Sequence, residues 1–386
     1  MTADVNNKQL LFYLLCISTF FASLNQNIYT PIIPLIRNSF GVSLNVVHFS
    51  VGIFIFITAI LQVVLGFIID FKNQKNIVIF GLFLTSVSTI TAAFTSSFSL
   101  FLVCRICQAI GTAALPLIAV HSIAALFEGT ERGNAMGTYQ IILSIAPALA
   151  PLLGGFLGDW YGYRGIFIFL FVMSIILLLL SFTLLPPDKR NVKNKFEFHD
   201  IVVKYRDIFS NQTGLMVLVL GFAIFFTYFG ILVYLPTLLT DVYHVSLRAV
   251  GMLYLPLTIS MIVGSFLFKY LQTKFHLNRL FITINLLMTL TVFFFALVND
   301  KTIVGLIAVL FVYGLTVGFV PPLYATVLSN NFIENRGAAL GLFNFVRYVG
   351  MAMGSMISGL SSMNVIFAII GLVLFIISCF SIKKSF

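Results

Sequence analysis

The residues best placed to do chemistry are two arginines set in apolar runs. Arg105 lies in Cys104-Arg105-Ile106-Cys107-Gln108, and Arg347 in Asn344-Phe345-Val346-Arg347-Tyr348. A guanidinium in hydrocarbon is costly unless it faces a bundle interior or water, and it marks a path for charge. Asn344, Arg347, Tyr348 and Met351 follow i, i+3, i+4, i+7 spacing and so share one helix face. With Asn25, Gln26, Asn27 and Gln140 they would make an amide-rich, net-positive lining. Such a lining suits a carboxylate or zwitterion, which a guanidinium holds through two parallel hydrogen bonds. The competing reading is that Arg347 bonds helix carbonyls and never meets cargo. Tyr228 and Tyr254, with Tyr234, Tyr313 and Tyr324, would shape the same pocket. His121 reads as the one histidine inside a span, able to exchange a proton near neutral pH or simply to pack. All twelve acidic residues fall in termini, loops or span ends, leaving no carboxylate at mid-depth.

The elements that must position these groups follow from composition. The chain is 60% hydrophobic and 9% charged, with a mean hydropathy of +1.07, against about 25% charged for a soluble domain. A membrane helix needs about 20 mostly apolar residues. Twelve spans result: 9–34, 47–69, 77–95, 99–125, 134–157, 164–185, 213–238, 248–270, 279–298, 302–328, 337–360 and 364–382. Of the 22 Lys and Arg, Arg37, Arg164, Arg248 and Lys301 fall on one side. Arg105 and Arg347 lie within spans, and all the others fall on the opposite side. That bias places both termini in the cytoplasm. It makes the net charge of +10 a topology signal and a contact with anionic lipid, not a nucleic-acid signal. No cleavable signal peptide is evident, and the first apolar run reads as a span. Cys104 and Cys107 read as small apolar fillers, with no partner pair for metal or redox chemistry.

The chain also repeats itself. Arg132-Gly133-Asn134-Ala135-Met136-Gly137 recurs 204 positions later as Arg336-Gly337-Ala338-Ala339-Leu340-Gly341. Gln140 then pairs with Asn344 and Gly155 with Gly359. Two amides at matching depth are expected to point between the halves, because an unpaired amide facing lipid is expensive. The expected domains are 1–186 and 213–386, joined by a polar cytoplasmic linker, 187–212, with a short helix near Asp200–Tyr205.

These features resemble the major facilitator superfamily, and within it the twelve-span drug:proton antiporters of the bicyclomycin/chloramphenicol-resistance type. The loop Gly66-Phe67-Ile68-Ile69-Asp70-Phe71-Lys72-Asn73-Gln74-Lys75 resembles the family's G-x-x-x-D-R-x-G-R-R/K pattern. Phe71 replaces Arg, and Asn73 replaces Gly at a turn where asparagine tolerates positive φ. The resemblance implies a latch between halves, with Asp70 meeting the helix start near Gly337 or pairing with Arg132, and with Lys72, Lys75 and Arg336 nearby. Arg105-Ile106-Cys107-Gln108-Ala109-Ile110-Gly111-Thr112-Ala113 resembles R-x-x-Q-G-x-G-x-A, whose Arg is linked to proton coupling. The alternative for Arg105 is a structural bond to carbonyls of a neighbouring helix. Gly137, followed after eight residues by Ala146-Pro147-Ala148-Leu149-Ala150-Pro151-Leu152-Leu153-Gly154-Gly155, resembles the antiporter motif that marks exporters. Trp160-Tyr161-Gly162-Tyr163-Arg164-Gly165-Ile166-Phe167 resembles another phrase of the family and reads as an interfacial aromatic belt. Many drug-exporting relatives carry an acid four residues before Pro31, where this chain has Asn27.

The resemblance implies an all-α membrane protein: twelve transmembrane helices in two pseudo-symmetric six-helix bundles, the major facilitator fold. The expected function is proton-coupled efflux of a small organic molecule across the cytoplasmic membrane by a monomer. The cargo would be an anionic or zwitterionic metabolite, such as an amino-acid-derived metallophore, or else a range of lipophilic drugs. Without a mid-depth acid, the proton site is His121, an acid near a span end such as Asp70 or Asp241, or the substrate itself. The sequence has no phosphate-binding G-x-x-x-x-G-K-[ST] phrase, so no nucleotide, metal or other cofactor is expected. A ligand sensor would need a signalling tail, and a membrane enzyme a nucleophile–base pair at depth. Pro236, Pro256, Pro321 and Pro322 are expected to kink helices near gates.

Overall fold

In the computed structural model, residues 2–68, 73–186, 205–359 and 363–382 are described. They are nearly all helical, with no strand among them. Ten helical segments are long and apolar enough to cross a membrane. One of them, α6 (Gly129–Leu184), runs for 56 residues and reverses at Gly162, where φ is 65° and ψ is −173°. Only glycine adopts that backbone readily, so α6 supplies two spans. With α14 (Met363–Ile382), twelve spans result. This is the major facilitator fold.

The first span is broken where the sequence reading has it continuous. α1 (Thr2–Asn27) stops, a 3-10 turn runs Thr30–Ile32, and α2 (Ile33–Phe40) completes the span and ends on Gly41 at φ 62°. Pro31 and Pro34 lack the N–H that a continuous helix would donate. Then come α3 (Leu44–Ile68), α4 (Gln74–Phe94) and α5 (Phe98–Leu126). Asn73 does not take the positive φ expected of it. Its φ is −63°, and its side chain caps α4 by accepting from the Asn76 N–H at 3.3 Å. Capping satisfies an orphan donor with no left-handed residue.

Residues 205–210 form α7. α8 (Gln212–Thr237) is capped by Asn211 and passes into a π turn at Leu238–Val242. The expected eighth span is two helices, α9 (Leu247–Leu253) and α10 (Leu255–Leu271), with Pro256 at the start of the second. α11 (Leu277–Val298), α12 (Ile303–Asn331) and α13 (Arg336–Ile357) follow. Pro236 lies inside α8, and Pro321 and Pro322 lie inside α12; both helices continue through them.

The chain divides into two compact units. One is Met1–Asn194 with Ser246–Met252, and the other is Lys195–Val245 with Leu253–Phe386. Within each, the repeated span packs through small residues. In the first unit, Ala146 and Ala150 of α6 are fully buried, and Gly154 lies so close to the Ile28 carbonyl that a Cβ would overlap it. In the second, Gly350 and Gly354 of α13 press on the Phe222 and Phe226 carbonyls of α8. Positions 350 and 354 are positions 146 and 150 plus the repeat offset, so sequence and packing repeat together. Helices in lipid gain little from hydrophobicity and associate through this kind of close backbone approach.

Candidate functional site

In the first unit, α5 holds Arg105 fully buried. Its Nη1 donates to Gln108 Oε1, one turn on, at 2.8 Å. Gln108 Nε2 donates to Thr89 Oγ1 of α4 at 3.1 Å. The guanidinium lies 4.3 Å from the Phe54 ring centroid and 4.7 Å from that of Tyr29. The Tyr29 hydroxyl and Ser50 Oγ share a 2.9 Å hydrogen bond. Nε and Nη2 of Arg105 are buried with no hydrogen-bond partner among the described residues. Two π faces and an amide therefore hold this charge, rather than the neighbouring-helix carbonyls considered from sequence. Cation–π contacts gain strength when desolvated, to about 2 kcal/mol or more each.

The amides expected to line a cavity differ among themselves. Asn25 is fully buried, and neither end of its amide has a hydrogen-bond partner among the described residues. Gln26 and Asn27 are half-buried, and Asn27 donates to the Ser23 carbonyl at 2.8 Å, serving the end of its own helix. Gln140 is exposed on α6. His121 is half-buried on α5. The sequence reading left His48 at a span edge. α3 begins at Leu44, which puts His48 one turn inside and fully buried. Ser43, a good cap residue, was the available signal.

Of the expected latch, Asp70 and Lys72 lie outside the described residues, and Gly66 ends no helix but sits within α3. Lys75 Nζ donates to the Leu185 carbonyl at 2.7 Å, the C-cap of α6. A cation there also meets the negative end of the helix dipole. Arg132 Nε donates to the Phe127 carbonyl at 2.9 Å, and Arg336 Nε to the Ser329 carbonyl at 3.0 Å. Each repeated arginine thus returns to the end of the helix before it. Pro151 lies within α6. A Cβ on Gly155 would stand 2.6 Å from the Leu247 carbonyl oxygen of α9.

In the second unit, α13 carries the expected face, and the face grades along the helix. Asn344 is exposed, Arg347 and Tyr348 are half-buried, and Met351 is 8% exposed. The Arg347 guanidinium lies 5.1 Å from the Phe225 ring of α8 and 5.5 Å from Tyr348. Its Nε is buried without a hydrogen-bond partner among the described residues, while the group shares a side-chain hydrogen bond with Tyr348. Phe225 meets Tyr228 edge-on at 6.2 Å, so Arg347 and Tyr228 belong to one cluster. Tyr254 is sealed in the unit, with its hydroxyl donating to the Leu232 carbonyl. Tyr313 is equally buried, and its hydroxyl has no hydrogen-bond partner among the described residues. The sequence reading missed Asn285 of α11, whose Oδ1 accepts from the Tyr324 hydroxyl at 2.6 Å.

Glu128, Glu131, Asp159, Asp207, Asp241, Asp300 and Glu334 are all exposed. The fully buried charge among the described residues, Arg105, is a cation, as is the half-buried Arg347. No group of His, Cys, Asp or Glu able to hold a metal occurs among the described residues.

Known proteins share this architecture. A bacterial homologue of the human lysosomal transporter Spinster, solved inward-facing and unoccupied, superposes with a TM-score of 0.78 at 17% identity over 98% of both chains. The transporter YwoD of Bacillus subtilis, itself uncharacterised, is 26% identical over 89% of this chain and 87% of its own length. Two other matches are partial. The chain spans 34% of the length of YhcA from the same organism, at 25% identity over 46% of this chain. It spans 36% of a chloramphenicol resistance protein of Pseudomonas aeruginosa, at 29% identity over 39% of this chain. The profile of the Major Facilitator Superfamily matches residues 15–355, and the chain belongs to that superfamily of membrane transporters.

Proposed function

We propose that the chain is a proton-coupled exporter of a small anionic or zwitterionic organic molecule, such as an amino-acid-derived metal chelator. It would act as a monomer in the cytoplasmic membrane with both termini inside. One observation carries the reading. Arg347 is a half-buried guanidinium backed by aromatic rings, and among the described residues its Nε has no hydrogen-bond partner and it has no ion-pair partner. A carboxylate on the cargo would complete its hydrogen bonds, and a charge-assisted bond contributes about 1.5–3 kcal/mol. Export rests on the resemblance of Gly137 through Gly155 to the antiporter motif. The buried Ala146 and Ala150 and the close Gly154 contact support that comparison.

The test is thermal stabilisation of the purified protein by lipophilic cations, matched anions and zwitterionic chelators, with and without metal. A saturating ligand at about 100 times its Kd adds about 2.7 kcal/mol. Stabilisation by anions or chelators is expected in the wild type and is lost in Arg347→Gln. Stabilisation by lipophilic cations in both proteins would instead support multidrug efflux. The partial likeness to the chloramphenicol resistance protein favours that second reading.

A further inference from the structure

We propose that the turn between α10 and α11 is a binding surface for the headgroup of an anionic phospholipid. The turn, from Leu271 to Leu277, joins two segments that are each able to cross a membrane. Its side chains are therefore held within a few residues of the bilayer surface. Lys269, Lys274 and Arg279 are all exposed. No acidic residue occurs between Asp241 and Asp300. Among the described residues none of the three cations has an ion-pair partner.

Three aromatics are interleaved with these charges: Phe266, Tyr270 and Phe275, at 68%, 55% and 49% exposure. Lys274 Nζ stands 4.3 Å from the Tyr270 ring centroid. Exposed rings beside unneutralised cations match an interface in which rings enter the headgroup layer and ammonium groups meet phosphate. A soluble acidic partner would match the charges but leave the rings unexplained.

The internal repeat sharpens the point. An offset of 204 carries Gly66 onto Tyr270, Asp70 onto Lys274 and Lys75 onto Arg279. Lys75 is committed to the Leu185 carbonyl, whereas its counterpart Arg279 is exposed and has no ion-pair partner among the described residues. By sequence, the second loop has a ring where the first has Gly66 and a cation where the first has the carboxylate of Asp70, so its own residues offer no anion to these cations.

Delipidated full-length protein in neutral detergent would be titrated with phosphatidylglycerol, with phosphatidylcholine and with soluble glycerol phosphate, reading bound lipid by native mass spectrometry. Each cation near a lipid surface is worth about fivefold in affinity. The triple variant Lys269→Gln, Lys274→Gln, Arg279→Gln should lose on the order of 100-fold of the phosphatidylglycerol preference. Should that variant not fold, Lys274→Gln alone should lose about fivefold while Lys274→Arg keeps the wild-type value. The proposal is overturned by equal binding of the two lipids in the wild type. Unchanged preference in the Gln variants, or equal affinity for free glycerol phosphate, overturns it as well.

Discussion

Breaking the Asn285–Tyr324 pair should destabilise the second unit, and removing both partners should recover part of the loss. The Tyr324 hydroxyl donates to Asn285 Oδ1 at 2.6 Å, with both residues no more than 2% exposed. Tyr324→Phe keeps the ring against Phe281 and Phe343, at 5.1 and 5.8 Å, and leaves the Asn285 oxygen without its donor. Leaving a buried acceptor unpaired costs about 1–3 kcal/mol. Asn285→Leu leaves the hydroxyl stranded and should cost a similar amount. In membrane proteins the interhelical coupling averages about 0.6 kcal/mol and reaches about 1.7, because the unfolded chain in lipid also finds partners. The short distance and full burial place this pair toward the upper value. The assay is denaturant unfolding of the wild type, both single variants and Tyr324→Phe/Asn285→Leu in mixed micelles. The double variant should be more stable than the sum of the single losses by about 1–1.7 kcal/mol. Strict additivity would refute the assignment of this bond as a structural tie between α11 and α12.

Three further outcomes are expected. Gly354→Val would drive its Cβ into the Phe226 carbonyl and force α13 off α8, costing about 1–3 kcal/mol or more, read as a lowered unfolding midpoint. Arg105→Lys keeps the charge but loses the planar stack on Phe54 and Tyr29. It should destabilise by about 1–3 kcal/mol, and a wild-type midpoint would show that the rings do not hold the guanidinium. Pro151→Ala should lower the transport rate about tenfold by altering a conformational step while the unfolding midpoint holds. An unchanged rate in proteoliposomes would remove Pro151 from the conformational cycle.

Features that restrict residue type were legible in the sequence. Span count followed from length and hydropathy, and the small residues at 146 and 150 followed from the need for close helix approach, whereas their counterparts Gly350 and Gly354 emerged only in the packing of α13 on α8. The caps Ser97, Asn211 and Thr302, each accepting from an N–H three residues on, are residue types with a local job. Pairings that depend on helix rotation were not legible. Phe54 is one of 43 phenylalanines, and nothing in its spacing marks it as the ring beneath Arg105. Asn285 is a single amide in an apolar run, and its partner lies 39 residues away. The Gly162 reversal was read only as an interfacial phrase, because aromatic neighbours and a glycine suit an interface and a turn equally.

The two halves repeat in backbone and not in the charge they carry within the spans. Adding 204 to Arg105 reaches Val309, and subtracting it from Arg347 reaches Leu143. Each half therefore has one intramembrane cation at a site where the other half has an aliphatic residue. The two cations also differ in kind. Arg105 is fully buried on two rings and bonded to Gln108, whereas Arg347 is half-buried on a face that opens toward Asn344. A guanidinium inside hydrocarbon costs several kcal/mol unless it is compensated. The first half compensates internally with π faces and an amide, which ties Arg105 to the packing of its unit. The second half supplies two rings and a side-chain hydrogen bond from the Arg347–Tyr348 pair, and leaves Nε without a hydrogen-bond partner among the described residues, the feature on which the proposed anion site rests. On this asymmetry, an Arg347 variant should change which ligands stabilise the protein, and an Arg105 variant should change how stable the protein is with none bound.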